Sequence, residues 1–212
     1  MTRFVVVSGL PASGKSTLGR ALAAAWALPF IDKDEILEAL FEREGTGGRG
    51  SAGGIGTSGT GGTSGTRDAP WRQRLSQAAD AAFAQQAQAS GGAVLASWWR
   101  HPLSSAATGT PTEWLRRLPG STMEVYCECS AATAVARFMA RVRHPGHLDG
   151  RWSEGDLLAH FEQQVAFGAL GVAPVVRVET GGLLAVDKVA ERVDAYITTL
   201  SGHLFNIPGS LD

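Results

Sequence analysis

A chain of 212 residues, 44% hydrophobic and 18% charged, has enough apolar material for one core and too little length for two, which excludes a disordered or fibrous protein. Nineteen basic and twenty acidic side chains leave a formal charge of −1, so the overall balance attracts neither nucleic acid nor an anionic membrane. The 27 glycines are about 13% of the residues, nearly twice the usual level of roughly 7%, so part of the chain is strongly biased.

Taken in order, the chain alternates short apolar runs with longer amphipathic ones. The sequence predicts a strand over Phe4 to Ser8, a helix over Lys15 to Ala27, a short strand over Leu28 to Ile31 and a helix over Asp34 to Glu42. Eleven of the twenty-two residues from Gly45 to Thr66 are glycine and nearly all the others are Ser, Thr or Ala. Such a stretch buries too little apolar area to offset its ordering entropy, so a mobile insertion is expected over 45–66. The other 190 residues hold sixteen glycines, a normal proportion. A helix is expected over Arg67 to Ala89, strands over Ala93 to Ala96 and Met123 to Glu128, helices over Ala131 to Val142 and Glu154 to Phe167, a strand over Val175 to Glu179 and a helix over Ala185 to Leu200. Strands alternating with helices imply an α/β domain with a parallel sheet covered on both faces, and ligands bind at the carboxyl ends of such strands.

No run of about 18 apolar residues is long enough to span a bilayer. Met1-Thr2-Arg3 runs into the first apolar stretch without a cleavable-signal layout, so a cytoplasmic protein with no membrane contact is expected. The two cysteines, Cys127 and Cys129, are too close in sequence for an ordinary bridge and too few for a zinc site, which leaves buried thiols.

Gly9-Leu10-Pro11-Ala12-Ser13-Gly14-Lys15-Ser16-Thr17 fits G-x-x-x-x-G-K-[ST] in full, between a predicted strand and a predicted helix. The glycines let the backbone curl so that successive N–H groups face phosphate oxygens, and the helix adds its positive end. In this motif Lys15 reaches the β- and γ-phosphates and Ser16 holds Mg²⁺, which assigns Gly9, Pro11, Ala12, Ser13, Gly14, Lys15, Ser16 and Thr17 to a nucleotide such as ATP. Just after the second strand come Asp32 and Asp34. A phosphoryl transfer to an alcohol uses one carboxylate to organise Mg²⁺, here Asp32, and another to take the hydroxyl proton, here Asp34; either could instead simply cap the following helix.

With these motifs the chain resembles the small P-loop kinases of the shikimate kinase, gluconate kinase, chloramphenicol phosphotransferase and zeta-toxin type. The specific likeness lies in Gly9 to Leu40, with weaker support from Cys127 to Asp149. The resemblance implies a three-layer P-loop fold over residues 1–212 with a five-stranded parallel sheet in the order 2-3-1-4-5. It also implies a lid over about 137–153 and transfer of the ATP γ-phosphoryl group to a small-molecule hydroxyl acceptor, with an antibiotic or sugar-like molecule the nearest analogy. Arg137 and Arg141, four apart on one helical face, match lid arginines that stabilise the transferring group. Arg143 follows them. Thr180, in Glu179-Thr180-Gly181-Gly182, falls where relatives wrap the base, and Trp98, Arg100 and His147 fall at the acceptor. Trp98 and its neighbours could equally be a packed aromatic pair. His144, His147 and Asp149 could be drawn as a metal cluster, but the Pro145-Gly146 turn explains the segment without one.

The sequence departs from the family at Ser97, where many relatives end the third strand in an acid near the metal. That departure keeps open a nucleotide-binding regulator without transfer activity. A kinase for nucleic-acid ends would need a basic groove, which the near-neutral charge does not favour.

As a flexible chain the insertion would span roughly 25 Å root-mean-square. Deleting Gly48 to Gly65 is expected to leave the melting temperature and ATP affinity unchanged; a collapse of the thermal transition would show that the insertion is part of the fold.

Overall fold

The computed structural model describes residues 2–45, 68–105, 108–147, 152–182 and 185–204, so most of the glycine-rich insertion, and Asp149 with part of the expected lid, lie outside the described residues. The elements are β1 (Arg3–Gly9), α1 (Lys15–Ala25), β2 (Phe30–Asp32), α2 (Lys33–Glu44), α3 (Asp68–Ala89), β3 (Ala93–Ala96), a 3-10 turn (Glu113–Arg117), β4 (Ser121–Glu128), α4 (Ala131–Ala140), α5 (Glu154–Phe167), β5 (Val175–Glu179) and α6 (Val186–Leu204). The five strands form one parallel sheet in the order β2-β3-β1-β4-β5, the order that the resemblance implies.

β1 is the centre of the sheet, and its burial on both faces explains its continuous apolar run. Val5 and Val7 point to one side, into a core shared with Leu18 and Leu22 of α1 and Val189 and Val193 of α6. Phe4 and Val6 point to the other, against Phe83 of α3, Trp99, Trp114 and Leu115. Each side chain so buried contributes about 1.5–3 kcal/mol relative to exposure. A third cluster joins Leu10 to Ala134 and Phe138 of α4 and Leu157 and Phe161 of α5, and so seats these two helices beside the end of β1. Both helices start at a serine cap: Ser130 accepts from the Thr133 amide and Ser153 from the Asp156 amide.

The boundaries differ from the sequence expectation in two informative places. α4 ends at Ala140, and Arg141 is already extended at φ −81°, ψ 143°, so it does not share a helical face with Arg137. The 3-10 turn had no sequence signal; it buries Trp114 and Leu115 under the α3 side of the sheet.

Glu124 is the most deeply buried acid of the sheet, at 0% exposure inside β4. Its Oε1 accepts from Ser8 Oγ at 2.6 Å and from the Leu170 amide at 2.8 Å, while Oε2 accepts from the Gly171 amide at 2.9 Å. Three donors replace the lost hydration of the carboxylate and tie β1, β4 and the turn after α5 together. Glu124→Ala is expected to lower the unfolding free energy by about 3 kcal/mol, because it leaves the Ser8 hydroxyl and the Leu170 amide unpaired in the interior and frees the Gly171 amide. Urea melts check this, and a loss below about 1 kcal/mol would show that the turn is held otherwise.

Candidate functional site

The phosphate loop begins where β1 ends. Gly9, at φ +128°, pairs in register with Cys127 of β4, and a Cβ there would come within 2.5 Å of the Cys127 carbonyl oxygen, so the close approach excludes any side chain. Ala12 (φ 61°) and Gly14 (φ 95°) curl the chain back, and α1 starts at Lys15, after Gly14, with neither a side-chain cap nor an acid in its first turn. Its leading amides therefore form a helix N-terminus that no side chain caps among the described residues, which suits a phosphate. Lys15 Nζ donates to the carbonyls of Gly9 at 3.1 Å and Leu10 at 2.6 Å. Burial pushes its ammonium below the ordinary lysine range, against the opposing pull of Cys127, Asp34 and Asp32. Ser13 is fully buried, next to Gly9 and Cys127 behind the loop.

Asp32 caps α2, one of the two alternatives that the sequence left open, and also bonds the phosphate-loop serine. Its Oδ1 accepts from the Asp34 amide at 3.0 Å, which caps α2, and its Oδ2 accepts from Ser16 Oγ at 2.7 Å. Burial raises its pKa, and the neighbouring Asp34 raises it further. A divalent cation beside Ser16 and Asp32 would relieve both effects, so the residues present fit Mg²⁺. Ser97 does not supply a further acid: it is buried and hydrogen-bonded to Thr110 Oγ1 at 2.6 Å. Among the described residues there is no group of three or more His, Cys, Asp or Glu that could hold a metal by itself. His144 Nδ1 instead accepts from the Gly146 amide, closing the turn that Pro145-Gly146 suggested.

A cavity of about 510 Å³ brings together Pro11, Ala12, Gly14 to Thr17, Asp32, Asp34, Trp98, Arg137, Arg141, Arg143 and His147. The expected site residues elsewhere are Gly9, at the loop's entry, Ser13, behind the loop, Arg100, in a second cavity, and Thr180. Thr180 is buried with its Oγ1 donating to the Glu128 carbonyl, and its Cβ is 3.9 Å from where a Cβ on Gly14 would be. Arg137 donates to the carbonyls of Thr180 and Gly181, each at 2.9 Å, and so holds the segment after β5 against α4. The Arg141 guanidinium lies 4.1 Å from the centre of the Phe138 ring.

Arg143 and His147 form a strap together with Glu38, Phe41 and Arg72, three residues that sequence reasoning missed. Arg143 Nη2 donates to Asp34 Oδ2 at 2.5 Å, and His147 Nε2 lies 2.9 Å from Glu38 Oε1. Asp34 and Glu38 are one turn apart on α2, and Arg143 and His147 match that spacing across the gap, giving a two-rung ladder. Phe41, the next buried position of α2, is stacked on His144 and edge-on to His147, and Arg72 of α3 donates to the Gly146 carbonyl. A Cβ on Gly146 would fall 2.2 Å from the Phe41 ring, so glycine is required for this contact. The i, i+4 pattern was present in both segments, but nothing in the sequence indicates that they meet.

Burial lowers the His147 pKa from 6.5 and Arg143 lowers it further, against the opposing pull of Asp34 and Glu38. His147 is therefore neutral near pH 7, its Nε2–H donating to Glu38. The unfolded chain takes up this proton first, so the stability from neutral His147 is complete above about pH 6.5 and is lost as pH falls through the lower folded value. The fall in melting temperature from pH 7.5 to 5.5 is expected to be larger in the wild type than in His147→Gln, which keeps a donor to Glu38 and does not titrate. Equal falls would remove His147 from the acid response.

Residues 4–154 match the family profile described as an AAA domain. Over 45 residues, 18% of this chain, the sequence is 51% identical to a shikimate kinase of Paracidovorax citrulli. The chain spans about a quarter of the length of the curated relatives that it matches. Among solved structures, a candidate kinase from Chloroflexus aurantiacus superposes with a TM-score of 0.64 at 21% identity, covering 93% of this chain and 97% of that one. A shikimate kinase from Bacteroides thetaiotaomicron superposes with a TM-score of 0.54 at 17% identity, covering 93% and 98%. At these identities the likeness is one of fold. The profile takes in the phosphate loop, Asp34 and the strap, well over half of the chain, and the chain belongs to the AAA domain family with the fold of the small P-loop kinases.

Proposed function

We propose that this protein is a Mg²⁺-dependent phosphotransferase that moves the γ-phosphoryl group of ATP to a hydroxyl of a small molecule. The observation that carries the reading is the single cavity in which Lys15, Ser16 and Thr17 of the phosphate loop share walls with Asp34 and three arginines. The loop amides and Lys15 hold the phosphates, and Ser16 with Asp32 holds the metal, which supplies charge neutralisation when bound. Asp34 accepts the proton of the acceptor hydroxyl as its oxygen bonds to phosphorus and the bond to the leaving ADP oxygen breaks; Arg143 fixes the orientation of that carboxylate. Arg141 and Arg143 place positive charge beside the transferring group, where preorganised donors lower the barrier most. Arg137 contributes by holding the Thr180 segment, the side assigned to the base.

The acceptor follows by analogy from the shikimate kinase names of the relatives and from the resemblance to antibiotic and gluconate kinases. The protein is expected to act in the cytoplasm without nucleic acid or membrane. Among the described residues no helix is long and apolar enough to cross a membrane. The alternative, a regulator that binds nucleotide without transfer, draws on the neutral Ser97–Thr110 pair where relatives carry an acid.

Incubation with labelled ATP, Mg²⁺ and a panel of shikimate, gluconate, hexoses, aminoglycosides, phenicols and nucleoside antibiotics is expected to give one product with the mass gain of a single phosphate. Asp34→Asn is expected to lower turnover at least 100-fold while ATP affinity stays within about threefold, as loss of a general base requires. Full activity in that variant would remove Asp34 as the base, and tight ATP binding with no transfer to any acceptor would establish the regulator.

A further inference from the structure

Beside the cavity that holds Asp34 lies a second one, of about 240 Å³, which the proposed chemistry does not use. The two share Trp98 as a lining residue. On the far side of Trp98, the second cavity lies between the segment after β3 and α5. Six of its lining residues carry rings, and serines, a threonine and two glutamines set hydroxyl and amide groups between them. His101 is stacked on Phe167, with centroids 4.9 Å apart and planes at 13°, and Trp98 meets His160 edge-on at 5.9 Å. Both nitrogens of His101 are engaged, Nε2 with the Ala169 carbonyl at 3.0 Å and Nδ1 with the Leu103 amide at 3.1 Å, so this wall is held in place. His160 has its pKa lowered by burial and stacks on Trp152 from outside the cavity.

Two features narrow the chemistry of an occupant. No Asp or Glu occurs among the described residues that line this cavity, while Arg100 does, so the occupant is neutral or carries negative charge. The volume exceeds the roughly 150 Å³ that accommodates a benzene ring in an apolar protein cavity, which leaves room for one or two rings. The ring-bearing walls favour a planar, π-bearing group, and the hydroxyl and amide groups among them suit its polar substituents.

The floor links this space to the phosphate loop. Gly9 and Leu10 line it, and their carbonyls are those that Lys15 Nζ bonds. An occupant therefore rests on the backbone that anchors the phosphate-binding lysine.

We propose that the second cavity is a ring-binding subsite that takes the planar, neutral or anionic part of the acceptor, whose hydroxyl extends past Trp98 to Asp34. This rests on the phosphotransferase reading for its use and adds the acceptor class: an aromatic alcohol in place of an open-chain or saturated sugar.

The test uses 4-fluorobenzoate as the probe, titrated into the full chain and followed by ¹⁹F NMR, with ATP, Mg²⁺ and 4-(4-fluorophenyl)butan-1-ol, whose arm can pass Trp98, in a parallel transfer assay. Gln163 is an exposed residue of α5 at the cavity wall, so Gln163→Trp can fill the space without touching the core. Phe167→Leu is the second variant, keeping bulk and removing the ring. Saturable binding is expected in the wild type, weakened at least tenfold by Gln163→Trp and severalfold by Phe167→Leu, with the affinity for a non-hydrolysable ATP analogue unchanged. Phosphorylated 4-(4-fluorophenyl)butan-1-ol is expected from the wild type, and 4-fluorobenzoate is expected to compete with that alcohol. No saturable binding, or binding indifferent to both variants, would overturn the subsite. Binding that does not compete with a phosphorylated acceptor would make it a separate effector site and overturn its assignment to the acceptor. Ring binding with no transfer to any alcohol would instead defeat the phosphotransferase reading and leave the ring site standing, whereas transfer to sugars without ring binding would do the reverse.

Discussion

The site depends on one buried carboxylate with two donors. Asp32 accepts from Ser16 at the start of α1 and from the Asp34 amide at the start of α2, so the two helices that carry the phosphate loop and the proposed base are registered through a single side chain. The arrangement is possible because β2 is only three residues long and ends at Asp32, in register with Ala96 of β3. A longer strand would carry Asp34 into the sheet, and a shorter one would leave Ser16 without its partner. The cost of burying the charge is visible in its raised pKa, and it is a cost that a metal cation would offset.

Around this centre the molecule is assembled from contacts that are distant in sequence. The strap from Arg143 to His147 is fastened to α2 by two polar rungs and by Phe41, while the turn after α5 is fastened to the sheet by Glu124. The two fasteners differ in kind. Glu124 is sealed from solvent and satisfied by three donors, so it behaves as permanent structure. The strap is held by a half-buried ion pair and a neutral histidine, which is weaker and responds to acid. Stability is thereby unevenly distributed, with the rigid anchor beneath the ring-lined cavity and the yielding one above Asp34.

Much of this was legible in the sequence, and the reasons are local. The glycine and lysine spacing of the phosphate loop, the continuous apolar run of β1, and Asp32-Lys33-Asp34 at a strand end each carry their meaning within a few residues, so the placement of both carboxylates could be read directly, while the strand order came from the family resemblance that these motifs carry. What could not be read was pairing between segments more than a hundred residues apart. Arg143 and His147 have the same spacing as Asp34 and Glu38, yet only the folded chain brings 143 to 34. Likewise a glutamate in Met123-Glu124-Val125-Tyr126 carries no local sign of its partners, and its donors come from β1 and from the turn that covers it. The adjacent tryptophans looked alike; Trp99 is core, with its indole N–H on the Val7 carbonyl, whereas Trp98 divides two cavities. Alternation along an extended segment separates them, and that alternation was legible once the strand's end at Ala96 was fixed.

The close contact between Gly9 and Cys127 has a chemical consequence. Burial pushes the Cys127 thiol up to about 12, so it stays protonated across the working range and is a poor nucleophile toward oxidants and alkylating agents. The backbone that cradles the phosphates is backed by sulfur that electrophiles do not reach, while Cys129, half-buried two residues further on, offers the more accessible thiol. Burial raises the Cys129 thiol as well, so of the only two cysteines in the chain it is the more accessible but not an activated one, and a maleimide dye reacts there, just after β4, only slowly.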